Sequence, residues 1–230
     1  MVGGRSGSLR GAAAGRGSVV AWSGGIVHGM TFRETELAIG RAVVVPVVRE
    51  DGAAPALAVA GWLIEQGLDV VELTASTPGW EPAVRELRAS APDVIVGVGT
   101  LRTRQDAELA AAGGADFLVT PCPAAAVREV AEAAGLPLLE GGLTPGEVLA
   151  ATDRGIAKLF PAHVGGTGLL RSILALSPGA RIVPTGGIRL ADAADWLDAG
   201  AYAVGVGSEL RPDPEVAAAL RDTLAAARAR

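Results

Sequence analysis

The stretch DFLVTPCPAAAVREVAEAAGLPLLEGG, residues 116–142, holds one structural unit in full. Two short apolar runs, DFLVTP (116–121) and LPLLEGG (136–142), flank an Ala-rich segment of helical texture. Gly135 stands where that helix ends, just before the second run. Strands that are apolar almost throughout are strands covered on both faces. The unit therefore reads as strand, helix, parallel strand.

The same unit repeats in both directions. Upstream lie AVVVPVV (42–48), DVVELTA (69–75) and VIVGVGT (94–100); downstream lie AKLFPA (157–162), RIVPTGG (181–187) and AYAVGVGS (201–208). Between the first two runs, Ala56, Val59, Ala60, Leu63 and Ile64 follow the i, i+3, i+4, i+7, i+8 spacing of a buried helix face, and Leu109, Ala110 and Gly113 do so further on. Gly67, Gly113, Gly135, Gly155 and Gly200 each precede a run, at the place of a left-handed helix C-cap. Eight such units predict an α/β fold, a (β/α)8 TIM barrel over residues 30–230, with an extra N-terminal helix from Thr31 to Arg41. An open doubly wound sheet is the alternative. Against it, the first run is followed by Arg49-Glu50-Asp51-Gly52 and not by a G-x-G-x-x-G turn.

Residues 1–29 differ in texture. They are rich in Gly, Ser, Arg and Ala, and the apolar piece Ser18 to Trp22 is shorter than the 7–15 residues or so of a signal-peptide core. This segment reads as a flexible tail, with Met30 an alternative start, and the expected location is the cytoplasm. No apolar run approaches the ~20 residues that span a bilayer, and a net charge of −5 argues against a nucleic-acid or membrane partner. One cysteine, Cys122, and two histidines, His28 and His163, exclude a disulfide framework and make a metal site an unpromising reading. Lys and Arg together number 20, yet there is a single lysine, Lys158.

Active sites of these barrels lie at the C-terminal ends of the strands. Arg49, Glu72, Thr74, Thr100, Thr120, Glu140, Lys158, Thr185 and Ser208 all fall at such ends. Two of them interrupt apolar strands: Glu72 in Val-Val-Glu-Leu-Thr and Lys158 in Ala-Lys-Leu-Phe. Side chains alternate along a strand, so Glu72 shares a face with Val70 and Thr74, and Lys158 with Phe160. If that face is the interior, an acid and an amine from the second and sixth strands meet near the axis. The plain alternatives are a buried salt bridge, or a lysine that points outward. The chemical reading is a nucleophile. An amine attacks a carbonyl only when unprotonated, and an apolar barrel disfavours the ammonium form while a carboxylate favours it. Glu72 then suits proton transfer at the carbinolamine and at the substrate hydroxyl. The iminium is an electron sink that lets a C–C bond β to the imine carbon break.

Pro184-Thr185-Gly186-Gly187 and Gly205-Val206-Gly207-Ser208 end the seventh and eighth runs, where backbone N–H groups of such barrels often hold a phosphate. Tight turns alone would also account for these glycines. His163 and Trp80 are weaker candidates for pocket positions, and Trp22, Trp62 and Trp196 read as packing residues.

Together VVPVVR, VVELT, VGVGT, VTPCP, KLFPA, PTGGI and GVGSEL resemble the class I 2-keto-3-deoxy-6-phosphogluconate (KDPG) and 4-hydroxy-2-oxoglutarate aldolase family, from about Ala42 to Leu210. The resemblance implies a homotrimeric barrel that acts on a small keto acid and needs no metal or cofactor. It implies a lyase that releases pyruvate and an aldehyde, glyceraldehyde 3-phosphate or glyoxylate. Lys158 matches the Schiff-base lysine and Glu72 the acid/base glutamate. Thr100 and Pro121 match positions lining the pyruvyl pocket, Thr185 a residue contacting the substrate chain, and Gly186, Gly187, Gly207 and Ser208 the phosphate site. One position departs. The gluconate-type pattern V-E-V-T-L-R-T carries an arginine where this chain has Ser76, and Pro78-Gly79-Trp80 resembles the phosphogalactonate branch instead. That branch carries an arginine at the place of Arg49, a group able to grip an anion bidentately, whereas Thr185 matches the gluconate branch. The alternatives are therefore 2-keto-3-deoxy-6-phosphogalactonate as substrate, or a non-covalent phosphosugar isomerase or epimerase on the same barrel.

Overall fold

A computed structural model describes residues 30–228; the tail expected at 1–29, with Trp22 and His28, lies outside the described residues. The described residues open with α1 (Phe32–Ala42), and among them eight strands follow, alternating with helices. They run β1 (Val44–Val48), α2 (Ala53–Glu65), β2 (Val70–Thr74), α3 (Trp80–Ser90), β3 (Ile95–Gly99), α4 (Arg104–Ala112), β4 (Phe117–Val119) and α5 (Ala125–Ala134). The second half holds β5 (Leu138–Gly142), α6 (Pro145–Thr152), β6 (Ile156–Leu159), α7 (Gly166–Leu176), β7 (Arg181–Pro184), α8 (Ala193–Asp198), β8 (Val204–Val206) and α9 (Pro214–Arg228). All pairings are parallel, in the order β7-β6-β5-β4-β3-β2-β1-β8. The ring closes between β7 and β8 through Tyr202 N–H donating to Ile182 O (2.8 Å) and a Thr185–Gly205 bridge. The expected (β/α)8 barrel is the fold.

Seven strands sit inside their apolar runs, and β6 begins one residue before its run, at Ile156. The runs overshoot where they include loop residues, because local hydrophobicity does not mark where pairing stops. Ala42 ends α1, and Phe160-Pro161-Ala162 leaves the sheet after Leu159. Gly67, Gly135, Gly155 and Gly200 take positive φ at helix ends as expected. Gly113 does not: it stays helical at φ −76°, and Gly114 makes the left-handed step at φ 89°.

Two apolar layers result. The larger lies between strands and helices, with Trp80 and Trp196 in it; the smaller fills the barrel floor. Helix α1 plugs that floor. Its cap is a box in which Thr31 and Glu34 satisfy each other's N–H groups. Its face of Ala38, Ile39 and Ala42 packs under Val45, Val70, Ile95, Phe117 and Ile156. Arg181 Nη1 donates to Glu36 Oε2 (2.7 Å) and Tyr202 Oη donates to Glu36 O (3.0 Å), fastening the plug. With the N-terminal end filled, the interior opens at the C-terminal end alone. Among the described residues no helix is long and apolar enough to cross a membrane.

Outside the barrel, Arg88 on α3 donates to Asp116 Oδ2 (2.8 Å), which also accepts from Val96 N–H (2.8 Å). Burial pushes the Asp116 carboxyl up, against the pull of Val96 N–H and Arg88. Glu140 faces outward too, which corrects its placement among the strand-end residues of the site. Its carboxylate accepts from Arg128 Nη2 and Arg154 Nη2 (both 2.5 Å) and from Ala124 N–H (3.0 Å), joining β5 to α5 and α6.

Candidate active site

The closed ring sets β2 and β6 four strands apart in either direction, so they face each other across the barrel. Both interruptions of the apolar pattern turn inward. Glu72 is 2 % and Lys158 5 % exposed, and Lys158 Nζ stands 3.5 Å from Glu72 Oε1. The lysine is therefore neither outward-facing nor solvated. The Phe160 ring, next on the same face, lies 5.6 Å from Nζ, within cation–π range.

Interior side chains are accommodated by glycines on neighbouring strands. A Cβ on Gly99 of β3 would fall 1.8 Å from Glu72 Oε1, and one on Gly97 would fall 2.1 Å from the Phe117 ring. On β8, a Cβ at Gly205 would meet Thr185 Oγ1 at 2.2 Å. These interior glycines make room for the Glu72, Phe117 and Thr185 side chains. Their signal was in the sequence: V-G-V-G puts both glycines at period two on one face.

Above the pair a cavity of about 1050 Å³ opens at the C-terminal mouth. Lys158 forms part of its wall, together with Arg49, Thr100, Pro121, Thr185, Gly186, Gly187, Gly207 and Ser208. Glu72 sits beneath, reached through Lys158. All ten expected site residues thus converge on one region. Arg49 Nη2 donates to Thr100 Oγ1 (3.2 Å), bridging the exits of β1 and β3 over that of β2. Thr100 holds φ 61°, left-handed and unusual for a β-branched residue. Ser76 turns away from the cavity and donates to Thr74 Oγ1 (3.2 Å).

Gly186 and Gly187 take successive positive φ of 95° and 70°, and in the described residues no hydrogen bond uses the N–H of Gly187 or Ser208. Such open N–H groups suit an anion. Trp80 is buried under the helices and lines no part of the cavity. His163 lies outside it as well, exposed, with Nδ1 3.2 Å from Gly186 O. Cys122 is exposed at the mouth. Arg102 and Arg211 also line the mouth; nothing in the sequence set them apart from the other arginines of the chain.

Comparison with known proteins follows the same line. The family model of KDPG and KHG aldolase matches residues 36–222. A 2-dehydro-3-deoxy-phosphogluconate aldolase of Haemophilus influenzae is 34% identical over 157 residues, covering 67% of this chain and 74% of that protein. A 2-dehydro-3-deoxy-6-phosphogalactonate aldolase of Escherichia coli K12 is 29% identical over 159 residues, 67% of this chain and 78% of that protein. A crystal structure of KDPG aldolase from Legionella pneumophila, with pyruvate captured at low pH as a covalent carbinolamine intermediate, superposes with a TM-score of 0.73 at 26% identity, over 84% of this chain and 97% of that one.

Proposed function

The chain belongs to the KDPG and KHG aldolase family, and we propose that it is a class I lyase that works through an imine on Lys158. The observation that carries the reading is the buried Lys158–Glu72 pair at the base of a cavity open to solvent at one end. The Legionella enzyme's capture of pyruvate as a carbinolamine supports it.

In this mechanism the Lys158 amine adds to the C2 ketone of a 2-keto-3-deoxy-6-phospho sugar acid. The carbinolamine loses water to give an iminium, with Glu72 moving the protons. Removal of the C4 hydroxyl proton then breaks the C3–C4 bond. The bonding electrons pass into the iminium to leave an enamine, and glyceraldehyde 3-phosphate departs. Protonation of the enamine at C3 and addition of water return pyruvate and the free amine. Glu72 lies close enough to the nitrogen to serve the proton steps, and the low-dielectric interior keeps bulk water from competing. Thr185 and Pro121 shape the wall around the keto acid, and the Gly186, Gly187, Gly207 and Ser208 loops receive the phosphate.

The substrate is 2-keto-3-deoxy-6-phosphogluconate, 4-hydroxy-2-oxoglutarate, or both. A second reading has its own support: Ser76 bonds Thr74, and Arg49 lines the cavity, an arrangement compatible with 2-keto-3-deoxy-6-phosphogalactonate. The family resemblance extends the proposal to a homotrimer. Borohydride reduction in the presence of pyruvate tests the mechanism. A pyruvyl adduct on Lys158 is expected; a non-covalent isomerase would give none. Turnover on the three acids decides the substrate.

A further inference from the structure

Arg49 is the first residue past β1, and its guanidinium reaches over the exit of β2 to Thr100. The sheet does not hold this reach at its base. β1 stops at Val48, which pairs with Leu73, so the parallel β1–β2 ladder ends one residue short of Arg49. At the far end the contact is a single bond of 3.2 Å to a neutral hydroxyl. A long arginine side chain loses much rotamer freedom when it grips an anion. Its grip therefore depends on how firmly the backbone beneath it is held.

A side chain takes over where the ladder stops. The N–H of Glu50, the residue after Arg49, donates to Thr77 Oγ1 (3.2 Å). Thr77 is itself fastened to β2. Its N–H donates to Thr74 O (3.0 Å), closing a four-residue turn, and its O accepts from Trp80 N–H (3.1 Å) at the start of α3. Its Oγ1 lies 3.2 Å from Thr74 Oγ1, which also accepts from Ser76 Oγ (3.2 Å). Thr74 is 0 % and Thr77 2 % exposed, so water does not compete for these bonds. Thr77 lines no part of the cavity. It has no access to a bound molecule, yet one hydrogen bond joins it to the backbone beside Arg49.

We propose that Thr77 is a positioning residue for Arg49: its hydroxyl fixes the β1 exit against the β2 turn, and so sets where the Arg49 guanidinium meets an anionic group of the substrate. This rests on the aldolase reading above. With Ser76 on the β2 exit and the guanidinium supplied from β1, the two exits must keep a fixed spacing, and Thr77 is the side chain that ties them. Thr77→Val keeps the shape of the side chain but leaves the Glu50 N–H without its acceptor. A residue that acts through ground-state binding alters KM and spares kcat.

The test uses the full-length protein and whichever of the three acids named above the wild type turns over fastest. Thr77→Val is expected to raise KM by about three- to tenfold, with kcat within about twofold. Thr77→Ser keeps the hydroxyl and should stay within about twofold of the wild-type KM. Thr77→Ala should repeat the valine result, and it serves should valine disturb the turn. A double-mutant cycle separates positioning from mere structural support. In an Arg49→Ala background, Thr77→Val should move KM by less than about twofold, because the group it positions is gone. Equal KM changes with and without Arg49, or a lowered Tm with KM unchanged, would overturn the proposal. Hydrogen exchange at the Glu50 amide reads the tie without turnover. It should be slow in the wild type and faster by on the order of tenfold in Thr77→Val; fast exchange in the wild type would also overturn the proposal. A failure of pyruvate trapping in the wild type would instead remove the aldolase reading, while the Glu50 exchange would still report on the tie.

Discussion

Lys158 Nζ and Glu72 Oε1 stand 3.5 Å apart inside the barrel although 86 residues separate them in the chain. Taking two charges out of water costs several kcal/mol per ion, and mutual attraction does not reliably offset it. A pair that contributes little to stability, placed at the base of an open cavity, is better explained by chemistry. Lys158→Ala should lower turnover by at least on the order of 10³-fold and abolish pyruvate trapping, with the circular dichroism spectrum retained. Substantial residual cleavage would exclude the imine mechanism.

Glu72→Gln keeps the size and a polar contact to Lys158 but cannot shuttle a proton. Turnover should fall by about 10²–10⁴-fold, while slow borohydride trapping with pyruvate persists. A variant with wild-type rates would remove Glu72 from the proton steps.

The interior glycines predict a contrast. At Gly97 a new Cβ meets the enclosed Phe117 ring, so Gly97→Ala should destabilise by about 1–3 kcal/mol through overpacking. At Gly99 it meets the end of the Glu72 side chain, which can turn away. Gly99→Ala should therefore lower kcat more than it lowers Tm. Thermal melts and steady-state kinetics on both variants check the split, and parallel losses would refute it.

Arg49 spans the exit of β2, where Ser76 offers only a hydroxyl turned toward Thr74. Arg49→Ala should raise KM by about tenfold, the loss of one charge-assisted contact, with kcat little changed. Unaltered substrate affinity would show that Arg49 does not replace the missing arginine.

Glu140 predicts an acid-sensitive stability. Burial opposes its ionisation, but hydrogen bonds from Arg128, Ala124 N–H and Arg154 outweigh that and hold its carboxyl below the usual value of 4.5. Its contribution is present in full above that value and is lost as pH falls through the lowered one. Asp116, raised by burial, has the opposite slope, so the comparison must be between wild type and Glu140→Gln. The variant should be less stable by about 1–2 kcal/mol at pH 7, and the gap should close as the pH drops below ~4.5. A gap that does not change with pH would contradict this.

The eight-unit architecture was legible in the sequence because buried parallel strands must be apolar throughout and the helices between them must keep a 3.6-residue period. For the same reason Glu72 and Lys158 stood out: a charge inside such a run has no routine structural use. The plug α1 was legible as a helix but not as a floor, since nothing local states what its apolar face covers. Glu140 interrupts its run much as Glu72 does, yet it points outward to Arg128 and Arg154. A strand covered on both faces has no polar side to tell the two directions apart.

The sequence by itself therefore determined the period, the number of units and the identities of the two charged residues. Only the tertiary structure decided which charges meet. Ring closure between β7 and β8 turns a linear order into opposite walls, and it sets β2 across from β6. The same closure gathers Arg49, Arg102 and Arg211 onto one rim. Distances across a barrel depend on register and curvature summed over all eight strands, and no single stretch of chain contains them.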